Sequence, residues 1–251
     1  MLRKTLAAAV LMAAGVNAHA SLTAGDIAFT AFNADEDGLA FTTFKDIQAN
    51  TNIYFADNEW TGSAFNTGES YNVWNSGASL INAGSVIRFS AYDKSTLSAS
   101  AGLLNRVTVS GSANWGLANS SETVYAYLGT SATVPTTFLT AVTNGDFAVD
   151  GSLASTGLTE GVNAIRLNKN TTSATPDYAE YIGIRSGLTS FDAYKGLVAN
   201  VNNWTVDTTN GAYAATIPNT ASFSVAAVPV PGAVWLFSSA LLGFLGVRRK
   251  A

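Results

Sequence analysis

Two short stretches hold the side chains closest to chemistry. Asn33-Ala-Asp35-Glu-Asp37-Gly38 alternates oxygen donors and ends in glycine, as the first half of a calcium-binding EF-hand loop does. Such a loop needs a bidentate glutamate at its twelfth position. That position is Phe44, in a run that alternates as a strand. A hairpin turn explains the cluster better, with Asp37-Gly38 supplying the positive φ that tight hairpins require. The second stretch, Asp57-Asn-Glu59-Trp60-Thr-Gly62, adds two carboxylates and an indole. On a shared rim, Asp35, Asp37, Asp57 and Glu59 could hold calcium, the one cofactor these residues suggest, and Trp60 could offer a flat face for a sugar ring. The competing reading is that Trp60, like Trp74, Trp115 and Trp204, fills a core with its N–H satisfied at the edge.

The chemistry available elsewhere is narrow. The chain has no cysteine and one histidine, His19. Arg3 and Lys4 precede an apolar run from Leu6 to Val16, and Ala18-His19-Ala20 has the small-x-small pattern that signal peptidase accepts, so residues 1–20 read as a signal peptide cut between Ala20 and Ser21. The mature chain then lacks both imidazole and thiol. That excludes Ser-His-Asp and Cys-His catalysis and the usual zinc sites. The chain contains no G-x-S-x-G, S-x-x-K or P-loop motif. A carboxylate pair of the glycosidase kind is the enzymatic option left, and the weight falls on a non-enzyme. Between residues 21 and 247 eight basic residues face 17 acidic ones, a formal charge of −9. No basic cluster interrupts that stretch, so nucleic acid is not an expected partner.

The elements that must carry these residues are strands. Runs of aromatic and β-branched residues recur at 26–32, 39–47, 52–57, 85–90, 123–128 and 136–142, separated by Gly, Asn, Asp and Ser, and 163–167, 180–184 and 221–227 add three more. This spacing predicts an all-β, antiparallel β-sandwich over residues 21–225. Only 189–200 looks helical, with Ser190 as N-cap and Phe191, Tyr194, Leu197, Val198 and Val201 at helical spacing. An N-terminal signal helix and a C-terminal membrane helix are expected to flank the sandwich.

The C-terminal stretch is of a different kind. Residues 226–232 form a linker with two prolines, and residues 233–247 carry no charge. As a helix those 15 residues reach about 22 Å, short of the roughly 30 Å hydrocarbon core unless the lead-in contributes. Arg248, Arg249 and Lys250 follow at once, within a basic tail of residues 248–251. The positive-inside rule leaves them in the cytoplasm and the main domain outside, the orientation a signal peptide also demands.

Val228, Pro229, Val230, Pro231, Ala233, Trp235, Leu236 and Phe237, followed by that basic cluster, resemble a PEP-CTERM sorting signal of the V-P-x-P-x-A-x-W-L-F variant. The resemblance covers the last 24 residues and departs from the common pattern at Gly232. It implies a transient single-pass anchor in the inner membrane, removal by an exosortase, release to the cell surface or beyond, and extracellular polysaccharide as a partner. Residues 25–62 are similar to the opening of secreted bacterial lamin-tail-like domains, with looser echoes at 125–142, 157–167 and 202–205. That similarity implies an immunoglobulin-like sandwich and a non-catalytic role. The expectation is therefore an exported structural or adhesive surface protein. A calcium- or carbohydrate-binding module is the alternative, and a carboxylate glycosidase a further one.

Overall fold

The computed structural model describes residues 21–170 and 175–227. In chain order the strands are β1 (Ile27–Asn33), β2 (Gly38–Thr43), β3 (Asn52–Ala56), β4 (Tyr71–Asn75), β5 (Val86–Ser90), β6 (Ser98–Ala99), β7 (Leu103–Arg106), β8 (Thr123–Ser131), β9 (Val134–Thr143), β10 (Ala164–Arg166), β11 (Tyr178–Tyr181) and β12 (Trp204–Asp207), with one α-helix, α1 (Asp192–Val198). They form two six-stranded sheets, ordered β12-β11-β1-β2-β5-β6 and β10-β9-β8-β3-β4-β7. Every pair is antiparallel except β9 with β10. The sandwich expected from the sequence is thus present, with one parallel pair where an antiparallel one was expected.

Period-two alternation builds the layer between the sheets. Phe29, Phe41 and Phe89 of the first sheet meet Phe55 and Trp74 of the second, with ring centroids 5.5 Å apart for Phe41 and Phe55 and 4.9 Å for Phe55 and Phe89. On β8 the alternation serves two cores. Val124 and Ala126 face the first sheet, while Tyr125 and Tyr127 face outward into a second cluster with Phe138. Trp60 and Phe65 from the β3–β4 connection and Phe147 and Leu158 from the β9–β10 connection cover that outer face. Strands covered on both sides read as continuous apolar runs, which is why β8 and β9 were prominent in the sequence.

Helix α1 confirms the expected helical stretch in a shorter form. The N-cap is Phe191 and not the expected Ser190, which sits one residue earlier and accepts from Ala193 N–H at 3.3 Å, while Tyr194 and Val198 are buried against the sandwich. The stretch 221–227, expected as a strand, forms only an isolated bridge between Val225 and Leu188. Its backbone is shared between two neighbours: Phe223 N–H reaches Gly84 and Ala226 N–H reaches Leu188, so no single partner strand sets a register. Phe223 nevertheless packs against Tyr194 and Phe44. Strands β4, β6, β7 and β12 were not expected. β4 hides its pattern because the inward Asn72 interrupts the apolar alternation, and β6, β7 and β12 are short.

Candidate functional site

At one end of the inter-sheet layer, the inward-facing residues change from apolar to polar on three adjacent strands at once. Along β3 the inward series Ile53, Phe55 continues to Asp57. Along β4 Trp74 gives way to Asn72 and then Ser70. Along β8 Ala126 and Val124 are preceded by Glu122. The register aligns these changes, since Phe55 is opposite both Asn72 and Ala126. Asp57 consequently meets Ser70, accepting its backbone N–H at 2.6 Å and its hydroxyl at 2.8 Å. From the facing sheet, Tyr92 lies just beyond β5, its hydroxyl beside the Ser70 and Asn72 side chains.

A loop closes this end. Leu117 N–H donates to Asp37 Oδ1 at 2.6 Å and Ala118 N–H to Glu122 Oε2 at 2.8 Å. Asn144 braces both sides of that contact, accepting from Glu122 N–H at 2.8 Å and donating to the Ala118 carbonyl at 3.0 Å. Asn58 joins the ends of the β3–β4 connection, donating to the Ser70 carbonyl at 3.0 Å and accepting from Glu69 N–H at 3.2 Å. Asp57 is 1% exposed and Glu122 3%, while Asn72 and Tyr92 are fully enclosed.

The electrostatics of this pocket are unbalanced. None of the ion pairs among the described residues involves Asp57, Glu69 or Glu122. Burial pushes the Asp57 carboxyl up to about 8, against the pull of the Ser70 hydroxyl and with a further push from Glu69. Burial and then the Asp57 charge drive Glu122 well above the carboxylate range. Glu69, half-buried at the mouth, rises to about 7 through burial and the Glu59 charge. Several buried polar atoms make no well-aligned hydrogen bond: Glu122 Oε1, both amide atoms of Asn72, the Tyr92 hydroxyl and Glu69 Oε2, with the Asn72 and Ser70 side chains lying close to that hydroxyl. Buried polar atoms left so are uncommon, and here they gather in one place.

Of the residues singled out from sequence, two reach this end of the sandwich: Asp57 inside it and Asp37 at the closing loop. The others go elsewhere. Asp35 accepts from Gly211 N–H at 2.6 Å and Tyr213 N–H at 2.9 Å, tying the β1–β2 turn to the loop after β12. Glu59 pairs with Asn66 across its own hairpin. Trp60 is buried, its indole N–H donating to the Ala154 carbonyl at 2.9 Å and its ring edge-on to Phe65 and Phe138, so it presents no open platform. The shared rim is not formed. Asn33–Gly38 is a hairpin turn in which Asp37 has φ of 56°. Gly38 is not at positive φ; it begins β2, where a Cβ would lie 2.5 Å from Glu36 Oε2. Among the described residues no three acidic side chains converge as a metal cage.

Trp74 and Trp204 are core residues, and half-buried Trp115 lies beneath the Arg106 guanidinium at 4.2 Å. Sequence reasoning missed Glu69, Ser70, Asn72, Tyr92 and Glu122. The available signal was parity: Glu122 is two residues before Val124, as Asp57 is two after Phe55. The sorting motif, the apolar stretch 233–247 and the cleavage-site residues Ala18 and Ala20 lie outside the described residues, and Ser21 is the first described. Among the described residues no helix is long and apolar enough to cross a membrane. No family model, curated protein or solved structure matches the chain.

Proposed function

We propose that this is an exported protein, sorted by an exosortase through residues 228–251 to the cell surface or extracellular matrix, where an immunoglobulin-like, lamin-tail-like sandwich serves a structural or adhesive role. The order of elements in that stretch carries the reading: proline-rich lead-in, Trp235-Leu236-Phe237, apolar residues, then Arg248-Arg249-Lys250. Support for a non-catalytic role comes from the most perturbed acids. Asp57 and Glu122 are enclosed between the sheets, and no sugar ring reaches between two side chains so deeply covered. The mature chain also lacks imidazole and thiol. Extracellular polysaccharide is the partner that the resemblance implies.

Mass spectrometry of the protein recovered from outside the producing cells tests the reading at both ends. The expected species begins at Ser21 and has lost the tail from within or just before residues 228–251. Recovery of a soluble protein with that tail intact would overturn it.

A further inference from the structure

We propose that the polar end of the sandwich interior, walled by Asp57, Glu122 and Asn72 beneath the 116–118 loop, is a binding site for a divalent cation, with calcium the fitting ion. This goes beyond the export reading and does not depend on it. The first argument is charge. Two carboxyl groups are held inside the fold with a third, Glu69, at the mouth, and among the described residues no lysine or arginine pairs with any of them. Buried ionised groups persist when they are paired, hydrogen-bonded or bound to a metal. Asp57 has its Ser70 bonds and Glu122 its Ala118 bond, but neither has a counter-charge.

The second argument is independent of the carboxylates. Asn72 is fully enclosed on the inward face of β4, between Ser70 and Trp74; the Tyr92 hydroxyl lies beside its side chain, and neither amide atom makes a well-aligned hydrogen bond. Glu122 Oε1 and the Tyr92 hydroxyl also lack one in the same space. A cation there would take the free oxygens of Asn72 and Glu122 together with Asp57, and bound water would fill the remaining positions. The donor set is entirely oxygen, which suits a hard cation and not zinc or copper. Calcium accepts mixed carboxylate and amide oxygens in irregular geometry, whereas magnesium demands near-octahedral geometry. The ion would tie β3, β4 and β8 together and fix the closing loop through Ala118.

Thermal unfolding of the full chain at pH 8, in EDTA and then with CaCl2 or MgCl2, tests this. Calcium at a hundredfold excess over its dissociation constant should raise Tm by roughly 5 °C or more, and magnesium by much less. Terbium, used as a luminescent stand-in, should show emission sensitised by the nearby tyrosine and be displaced by calcium. In Asp57→Asn and Glu122→Gln the calcium affinity should fall at least tenfold, while Glu160→Gln, whose carboxylate pairs with Lys169 outside this region, should respond as the parent does. Absence of both the calcium-dependent rise and the terbium signal in the parent would overturn the proposal, leaving protons as what neutralises the pocket. Undiminished calcium responses in both pocket variants would also overturn it. The terbium titration on the parent holds even where a variant does not fold.

Discussion

The two groups of acids in this molecule meet their needs in opposite ways. In the β1–β2 turn, Asp35 and Asp37 accept backbone N–H groups from Gly211, Tyr213 and Leu117, so each carboxylate latches a distant loop to the sandwich. At the polar end of the interior, Asp57 and Glu122 are held facing inward at strand ends, with neighbouring polar atoms left without well-aligned bonds. An acid in a turn can draw on the free N–H groups of other turns. Asp57 and Glu122, just past the ends of β3 and β8, also accept one backbone N–H each, from Ser70 and Ala118, but they are enclosed where water cannot complete their solvation. Ionisation of Asp57 and Glu122 costs stability, and Asp37, whose carboxyl burial pushes up to about 6 against the pull of the Leu117 N–H, shares part of that cost.

The largest expected effect follows from that contrast. In metal-free buffer the folded state should lose stability as pH rises. Asp57 has a folded-state value of about 8 against 3.8 for the free side chain, and Glu122 shifts in the same direction. A raised folded value favours the protonated native state, so the contribution is complete below about pH 4 and is lost as pH climbs through about 8. The loss should be on the order of several kcal/mol. Denaturant unfolding in EDTA between pH 5 and 9 measures it. A stability flat across that window would erase the distinction between the two groups.

Much of the sandwich was legible because alternation survives wherever one face is apolar. The runs that became β1, β2, β3 and β5 show it, while β8 and β9, covered on both faces, stand out as more continuous apolar runs. The pocket was illegible for a related reason: its residues are single polar interruptions at strand ends, and a polar residue beside a Gly- or Asn-containing loop looks like part of the loop. Asp57 was noticed as a carboxylate next to a tryptophan, yet only the register with β4 and β8 shows that it points inward beside Ser70. Trp60 shows the converse. Its exposure could not be read from its neighbours, because its covering partners Phe65 and Phe138 belong to another hairpin strand and another sheet position.

A smaller effect of opposite origin is expected at the latch. Asp35→Ala removes the acceptor for Gly211 and Tyr213 N–H and loosens the turn that places Tyr213 on Tyr178, ring centroids 4.3 Å apart. The cost should be about 1–2 kcal/mol, since charge-assisted bonds are lost but water can reach part of the site. Amide exchange should rise in the 208–216 loop while β3, β4 and β8 stay protected. Global unfolding, or protection lost at the pocket, would mean that the two groups are one cooperative unit.

The smallest change separates charge from packing. Glu59 lies outside the pocket, paired with Asn66, yet its charge contributes to the upward shifts of both Glu69 and Glu122. Glu59→Gln keeps a hydrogen-bonding side chain of the same size and removes only that charge. Stability at pH 5 should change by less than about 0.5 kcal/mol, as for a surface substitution. Above pH 7 the variant should instead be slightly more stable than the parent, because Glu69, raised to about 7, then ionises against less repulsion. The gap should narrow with added salt, since Glu59 and Glu69 are both within reach of solvent. An equal change at pH 5 and pH 8 would assign the effect to the lost hairpin contact and detach Glu59 from the pocket's electrostatics.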